Sequence, residues 1–186
     1  MESKKTAKEK GSKKQKKSIR ERPSVDEYFT AMAELVSTRS TCLRRQFGTV
    51  IVKDNHVVST GYNGAPRKMP HCLEIGCLRD ELGIPSGQQH EICRGVHSEQ
   101  NAIIQCAIHG KTTKGGTLYV TGYPCKICAK MIINAMISRV VISGKYSDTE
   151  GIDLLRDAGI EIKFMKKDAK EILDNIIKLK ESWQRY

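Results

Sequence analysis

The strongest constraint on this chain is a pair of short segments whose side chains belong together. Val96-His97-Ser98-Glu99-Gln100-Asn101-Ala102-Ile103 offers an imidazole and, two residues on, a carboxylate. Tyr123-Pro124-Cys125-Lys126-Ile127-Cys128 offers two thiols with two residues between them. One His and two Cys make three protein ligands for zinc and leave the fourth tetrahedral position open. Structural zinc sites normally fill all four positions with protein, so an open one points to catalysis. Glu99 would stand beside the bound water, where a general base is useful. A lone C-x-x-C is also compatible with a redox pair or half a zinc knuckle. Here an apolar pattern at helical spacing follows each half, so His97 and Cys125 are expected at two helix N-termini. Their dipoles would favour the thiolates that zinc requires.

The remaining composition frames this site. At 186 residues with 39% hydrophobic and 28% charged residues, the chain has the length and balance of one globular domain. No apolar run approaches the roughly 20 residues of a membrane span, and the charged N-terminus does not read as a secretory signal. Seven Cys, two of them in a metal-type pair, point to a reducing interior and not to a disulfide framework. Of the net charge of +11, residues 1–22 carry +7, from ten Lys or Arg against three Glu; the rest carries 11 − 7 = +4. The basicity is therefore concentrated in a Lys-rich tail that lacks the apolar residues to fold. It reads either as a solvated tail or as a nuclear address or nucleic-acid tether.

Order is expected from 23 onward, giving a domain over 23–186. Ser24 with Glu27 reads as a capping box opening a first helix to about 39. Residues 48–52 and 57–62 form a hairpin about the turn residues Asp54-Asn55. The loop 61–67, with two Gly and a Pro, leaves a strand end, a common place for binding groups. Residues 68–95 show no period, yet they hold His71, Cys72, Cys77, His90 and Cys93. A loop of that length is uncommon unless functional or stapled. A second, structural zinc would staple it, with Cys42 also within reach; the plainer reading is a set of free thiols. Beyond it, helices over 98–109, 125–136 and 152–158 alternate with strands over 117–121, 139–143 and 160–164. Asp168 caps a last helix. Cys106 falls on the apolar face of its helix, and His109 reads as a helix end. The order predicts an α/β fold: a three-layer α/β/α sandwich whose mixed five-stranded sheet carries an N-terminal antiparallel hairpin at one side.

The H-x-E…P-C-x-x-C pattern is the known signature of zinc nucleobase deaminases. From about Ser24 to Phe164 the chain resembles deoxycytidylate (dCMP) deaminases of the cytidine-deaminase-like superfamily. The landmarks are Thr41-Cys42, 48–52, Thr60-Gly61-Tyr62-Asn63-Gly64-Ala65-Pro66-Arg67 and the two metal-type segments. The resemblance implies hydrolytic deamination of dCMP to dUMP for thymidylate synthesis. His97, Cys125 and Cys128 would bind catalytic zinc, and Glu99 would move protons between water, ring N3 and the leaving amine. It further implies that Asn63 hydrogen-bonds the nucleotide, that Arg67 contacts its phosphate and that Tyr146 lies near the base. It also implies a homohexamer, activation by dCTP with Mg²⁺ and inhibition by dTTP. Some relatives carry a second, structural zinc, for which Cys42 and Cys72 match ligand positions, with Cys77, His90 and Cys93 as further candidates. Ser98 stands where many relatives have Ala. The implied compartment is cytoplasmic, or nuclear if the Lys-rich tail is an address.

The nearest rival is a tRNA adenosine or other polynucleotide deaminase, which the basic tail would suit. Against it stand the 61–67 loop, fitted to one nucleotide, and an aromatic content of 5%, which offers few stacking platforms. A zinc-stabilised interaction module without catalysis would have no need of Glu99.

Overall fold

A computed structural model describes residues 21–144 and 149–183. The expectation for the basic tail 1–22 lies outside the described residues over 1–20, as does that for Tyr146. In chain order the strands are β1 (Gly48–Lys53), β2 (His56–Tyr62), β3 (Thr117–Val120), β4 (Arg139–Ile142) and β5 (Glu161–Phe164). The helices are α1 (Val25–Ser37), α2 (Cys72–Ile75), α3 (Leu78–Glu81), α4 (Ser98–Ile108), α5 (Lys126–Asn134), α6 (Glu150–Asp157) and α7 (Ala169–Trp183).

Asp54 and Asn55 both take left-handed backbone, φ 51° and 60°. That is the tight turn whose twist matches an antiparallel hairpin, and it folds β2 back on β1. β1 then pairs antiparallel with β3, while β3–β4 and β4–β5 are parallel. The resulting order, β2-β1-β3-β4-β5, is the expected mixed sheet with the hairpin at one edge.

Strand side chains alternate between two faces, and here both faces are covered. Val50, Val52, Tyr119 and Val141 pack on Phe29 and Ala33 of α1, with α7 lying against α1. Ile51, Leu118, Val120, Val140 and Ile142 meet Ala102 and Cys106 of α4, Ala129 and Ile132 of α5, and Ile152 and Leu155 of α6. This second layer brings α4 and α5 side by side, and with them the two metal-type segments. Cys106 is core, as its spacing predicted.

Two glycines permit the close approaches that position those helices. A Cβ at Gly61 would strike the Ser98 carbonyl oxygen and the Ala102 amide, so β2 can lie on the first turn of α4 only with glycine there. A Cβ at Gly151 would strike the Pro124 carbonyl, where α6 presses on the turn before α5.

The Ser24–Glu27 capping box forms as predicted: Ser24 N–H donates to Glu27 Oε2 at 2.8 Å and Glu27 N–H to Ser24 Oγ at 3.2 Å. Residues 68–95, expected as a loop, contain two four-residue helices and a 3₁₀ turn, His90–Ile92. Single turns show no apolar period, so the sequence carries no signal for them. α5 starts one residue later than expected, with Cys125 as its N-cap. No helix among the described residues is long and apolar enough to cross a membrane.

Candidate active site

His97 is the N-cap of α4 and Cys125 the N-cap of α5, so both ligand groups stand at positive helix ends. The segment before His97 is fixed by a short bridge to the 61–67 loop. Val96 N–H donates to Gly64 O at 2.8 Å, and Gly64 N–H to Val96 O at 3.2 Å. His97 N–H is taken by Gln100 Oε1 at 2.9 Å, which closes the first turn of α4. Asn101 Nδ2 donates to Tyr62 O at 2.7 Å and ties α4 to the end of β2.

His97 Nδ1 lies 3.4 Å from both Cys125 Sγ and Cys128 Sγ. A tetrahedral zinc with nitrogen at about 2.05 Å and sulfur at about 2.3 Å sets its N···S edges at about 3.5 Å. The donor set therefore fits zinc in spacing as well as in chemistry. Among the described residues this is the one group of three ligand atoms lying within 4.8 Å of one another.

The electrostatics suit a cation. A hydrogen bond from Cys128 and the nearby His97 outweigh burial and hold the Cys125 thiol down at about 3. Its partner moves the other way: the bond to Cys125, then burial, push the Cys128 thiol well up. Zinc binds cysteine as the thiolate, so a cation here would hold both sulfurs deprotonated. Burial opposes the His97 imidazolium, but the Cys125 hydrogen bond and the Glu99 charge raise it.

Glu99 is 5% exposed, and burial raises its carboxyl above the usual range. Its side-chain support is a buried chain of hydroxyls: Thr49 Oγ1 donates to Ser98 Oγ at 2.8 Å, and Ser98 Oγ donates to Glu99 Oε2 at 2.9 Å. Sequence reasoning missed Ser98 and Thr49 as members of the site. The alternation of β1, which turns Thr49 away from Val50 and toward α4, is the signal that could have found them.

One pocket is lined by His97, Ser98, Glu99 and Cys125, and its walls also include Thr41, Arg44, Asn63, Arg79, Ser86 and Tyr123. Asn63 is largely occupied: its Oδ1 accepts from Phe47 N–H at 2.7 Å and its Nδ2 donates to Arg45 O at 2.9 Å. One N–H and one lone pair of that amide remain for a ligand. Arg67 does not line this pocket; it is exposed on a separate groove between β2 and α4. Arg44, in a loop, and Arg79, in the single turn of α3, line the pocket without having been singled out, because neither position carries a pattern that shows where its side chain turns.

The candidates for a second metal are only partly brought together. Cys42, Cys72, His90 and Cys93 line the same pocket, and Cys77 is buried at the N-cap of α3. Burial, then the neighbouring Cys42, Cys77 and Cys93, raise the Cys72 thiol. Among the described residues, no three of these groups form a compact ligand set like that of His97. His90 also adjoins the first site: its ring lies edge-on to His97, with centroids 5.1 Å apart. The 3₁₀ turn that carries it is entered through left-handed Gln89, φ 47°. His71 faces Thr41 at 3.3 Å.

A five-stranded α/β/α sandwich with a His-Cys-Cys cluster and a buried carboxylate at paired helix starts defines the cytidine-deaminase-like class. Residues 23–144 match the family described as the cytidine and deoxycytidylate deaminase zinc-binding region, and the chain belongs to that family. It is 37% identical over 143 residues to the deoxycytidylate deaminase of Saccharomyces cerevisiae, covering 76% of this chain and 45% of that protein. It is 36% identical over 149 residues to ComE operon protein 2 of Bacillus subtilis, covering 80% of this chain and 75% of that protein. The chain spans under half the length of the two yeast deoxycytidylate deaminases it matches, 45% and 44%. Among solved structures, the dCMP deaminase of cyanophage S-TIM5 in complex with dCMP and dUMP superposes with a TM-score of 0.66 at 32% identity. It covers 78% of this chain and 99% of that one.

Proposed function

We propose that this chain catalyses the zinc-dependent hydrolytic deamination of dCMP to dUMP. The observation that carries this reading is the meeting of His97, Cys125 and Cys128 at zinc-ligand spacing beside buried Glu99. His97 Nδ1 and the two sulfurs would hold the metal. Bound zinc supplies Lewis acidity, bringing the pKa of water at its open position toward neutrality. Glu99 takes the proton of the attacking water and passes it to ring N3. Glu99 next takes the proton of the hydroxyl added at C4 and delivers it to the C4 amine, so that the C4–N bond breaks, ammonia leaves and the C4 carbonyl of dUMP forms. A carboxyl raised by burial suits both tasks, because base and acid catalysis each need a pKa near the working pH. The Thr49–Ser98 hydroxyl chain keeps one Glu99 oxygen fixed while the other faces the reactants.

The choice of dCMP is supported by the yeast relatives and by the cyanophage enzyme seen with dCMP and dUMP. The polynucleotide alternative has no comparable support. The wider reading follows the family resemblance: supply of dUMP for thymidylate synthesis, a homohexamer, activation by dCTP with Mg²⁺ and inhibition by dTTP. Asn63 would contact the nucleotide through its remaining N–H. A structural zinc drawing on Cys42, Cys72, Cys77, His90 and Cys93 follows the family resemblance, and four of these, Cys42, Cys72, His90 and Cys93, line one pocket. The basic tail is taken as an appendage of a cytoplasmic enzyme whose deaminase domain is 23–186.

The test is the ultraviolet absorbance change on mixing the protein with dCMP, beside CMP, deoxycytidine and single-stranded DNA, with and without dCTP. Rapid loss of the dCMP signal, accelerated by dCTP, supports the reading. Activity on a polynucleotide alone would overturn it.

A further inference from the structure

Arg79 is a buried cation with little to hold it. It is 7% exposed. Its Nη2 donates to the Pro85 carbonyl at 3.0 Å, while its buried Nε–H has no hydrogen-bond partner among the described residues. The adjacent carboxylate, Asp80, is engaged by Arg44, whose Nε donates to Asp80 Oδ1 at 2.7 Å. Arg44 Nη2 in turn donates to the Ile84 carbonyl at 2.6 Å, and its buried Nη1 lacks a partner among the described residues. Two guanidiniums are thus tied to successive carbonyls, Ile84 and Pro85, with one carboxylate between them. Each keeps a donor unused.

Burying a charge without a counter-charge is unfavourable, and so is holding two like charges together. Structures keep such an arrangement where an anion completes it, and the guanidinium fork matches phosphate geometry. Both arginines line the pocket that holds Glu99, with the Ser86 hydroxyl in the same wall.

We propose that Arg79, with Arg44 beside it, forms the subsite for the 5′-phosphate of the nucleotide whose base is presented to Glu99. This rests on the nucleotide-deaminase reading of the site. It moves the phosphate from Arg67, which borders a different groove, to the 68–95 segment. That segment would then confer selectivity for nucleotide over nucleoside.

The test uses the zinc-loaded full chain and compares wild type with Arg79→Gln, Arg79→Lys and Arg44→Gln. Steady-state kinetics are run on dCMP and on deoxycytidine, with inorganic phosphate as competitor; melting and zinc content report the fold. Loss of one charge-assisted contact predicts a KM for dCMP raised about 10- to 100-fold in Arg79→Gln. The kcat on dCMP and the kcat/KM on deoxycytidine should stay within about twofold of wild type. Inorganic phosphate should compete with dCMP in wild type and lose potency in the variant. Arg79→Lys, which keeps the charge without the fork, should fall between. Equal losses on dCMP and deoxycytidine would make Arg79 a packing residue and overturn the proposal. So would an unchanged KM for dCMP in a folded Arg79→Gln protein. Wild type inert on every nucleoside monophosphate would instead sink the reading of function on which the subsite rests.

Discussion

Ser98→Ala tests whether Glu99 depends on its hydroxyl support. Ser98 and Thr49 are both fully buried, and Ser98 Oγ sits between Thr49 Oγ1 at 2.8 Å and Glu99 Oε2 at 2.9 Å. The substitution removes two hydrogen bonds and leaves the Thr49 hydroxyl with no acceptor, a loss of about 1–3 kcal/mol in stability. Thr49→Val removes only the outer bond and should cost about 1 kcal/mol. Because the second change relieves the orphan made by the first, the double variant should be more stable than the sum predicts, by about 1 kcal/mol. Denaturant unfolding of the four proteins measures that coupling. For catalysis, losing the fixed donor should lower kcat about tenfold, which corresponds to about 1.4 kcal/mol of barrier. The pH profile supplies the sign. Burial raises the Glu99 carboxyl and the Ser98 bond opposes it. Removing that bond lets the pKa rise further, so the acidic limb of kcat/KM should move to higher pH. Additive stabilities together with an unshifted acidic limb would refute the idea that Ser98 acts on Glu99.

Two other perturbations follow from the same structure. Asp26, in the first turn of α1, receives Arg139 through two bonds of 2.8 and 3.0 Å, Lys163 at 2.6 Å and Tyr119 Oη at 3.0 Å. Asp26→Asn should lower stability by about 2–3 kcal/mol, or about 5–10 °C in melting. The Arg139 bond holds the Asp26 carboxyl well below its usual range. The stability it confers is therefore complete above about pH 4 and is lost as pH falls toward the folded value, so the gap between wild type and variant should close on acidification. Zinc removal by a chelator should abolish dCMP turnover and lower the melting temperature, since a ligand at 1,000 times its Kd stabilises by about 4 kcal/mol. Added Zn²⁺ should restore both, whereas a chelator without effect would exclude a resident metal.

The parts of this molecule that were legible in the sequence are those encoded by period or by local chemistry. The hairpin could be read because Asp54-Asn55 favours left-handed backbone, and the central strands because Val50-Ile51-Val52, Leu118-Tyr119-Val120 and Val140-Val141-Ile142 are unbroken apolar runs, as in strands covered on both faces. The ligand set could be read because donor type and spacing are strict for a metal. What stayed hidden depends on contacts between distant residues. The turning of Arg44 and Arg79 into the pocket is decided by the Ile84 and Pro85 carbonyls, which no local pattern announces. Asn63 looked like a ligand-binding amide, yet most of its capacity holds the backbone at Arg45 and Phe47. The 3₁₀ turn also sets the His90 ring edge-on to His97, a placement no local pattern announces.

The most direct test of the central claim is the pair of zinc content and dCMP turnover in Glu99→Gln. Glu99 lies next to the ligand set but belongs to none of its three members. The account predicts one zinc retained at the His97 site, a melting temperature near that of wild type, and turnover reduced by about 10²- to 10⁴-fold. Near-wild-type deamination in a zinc-loaded Glu99→Gln protein would contradict it.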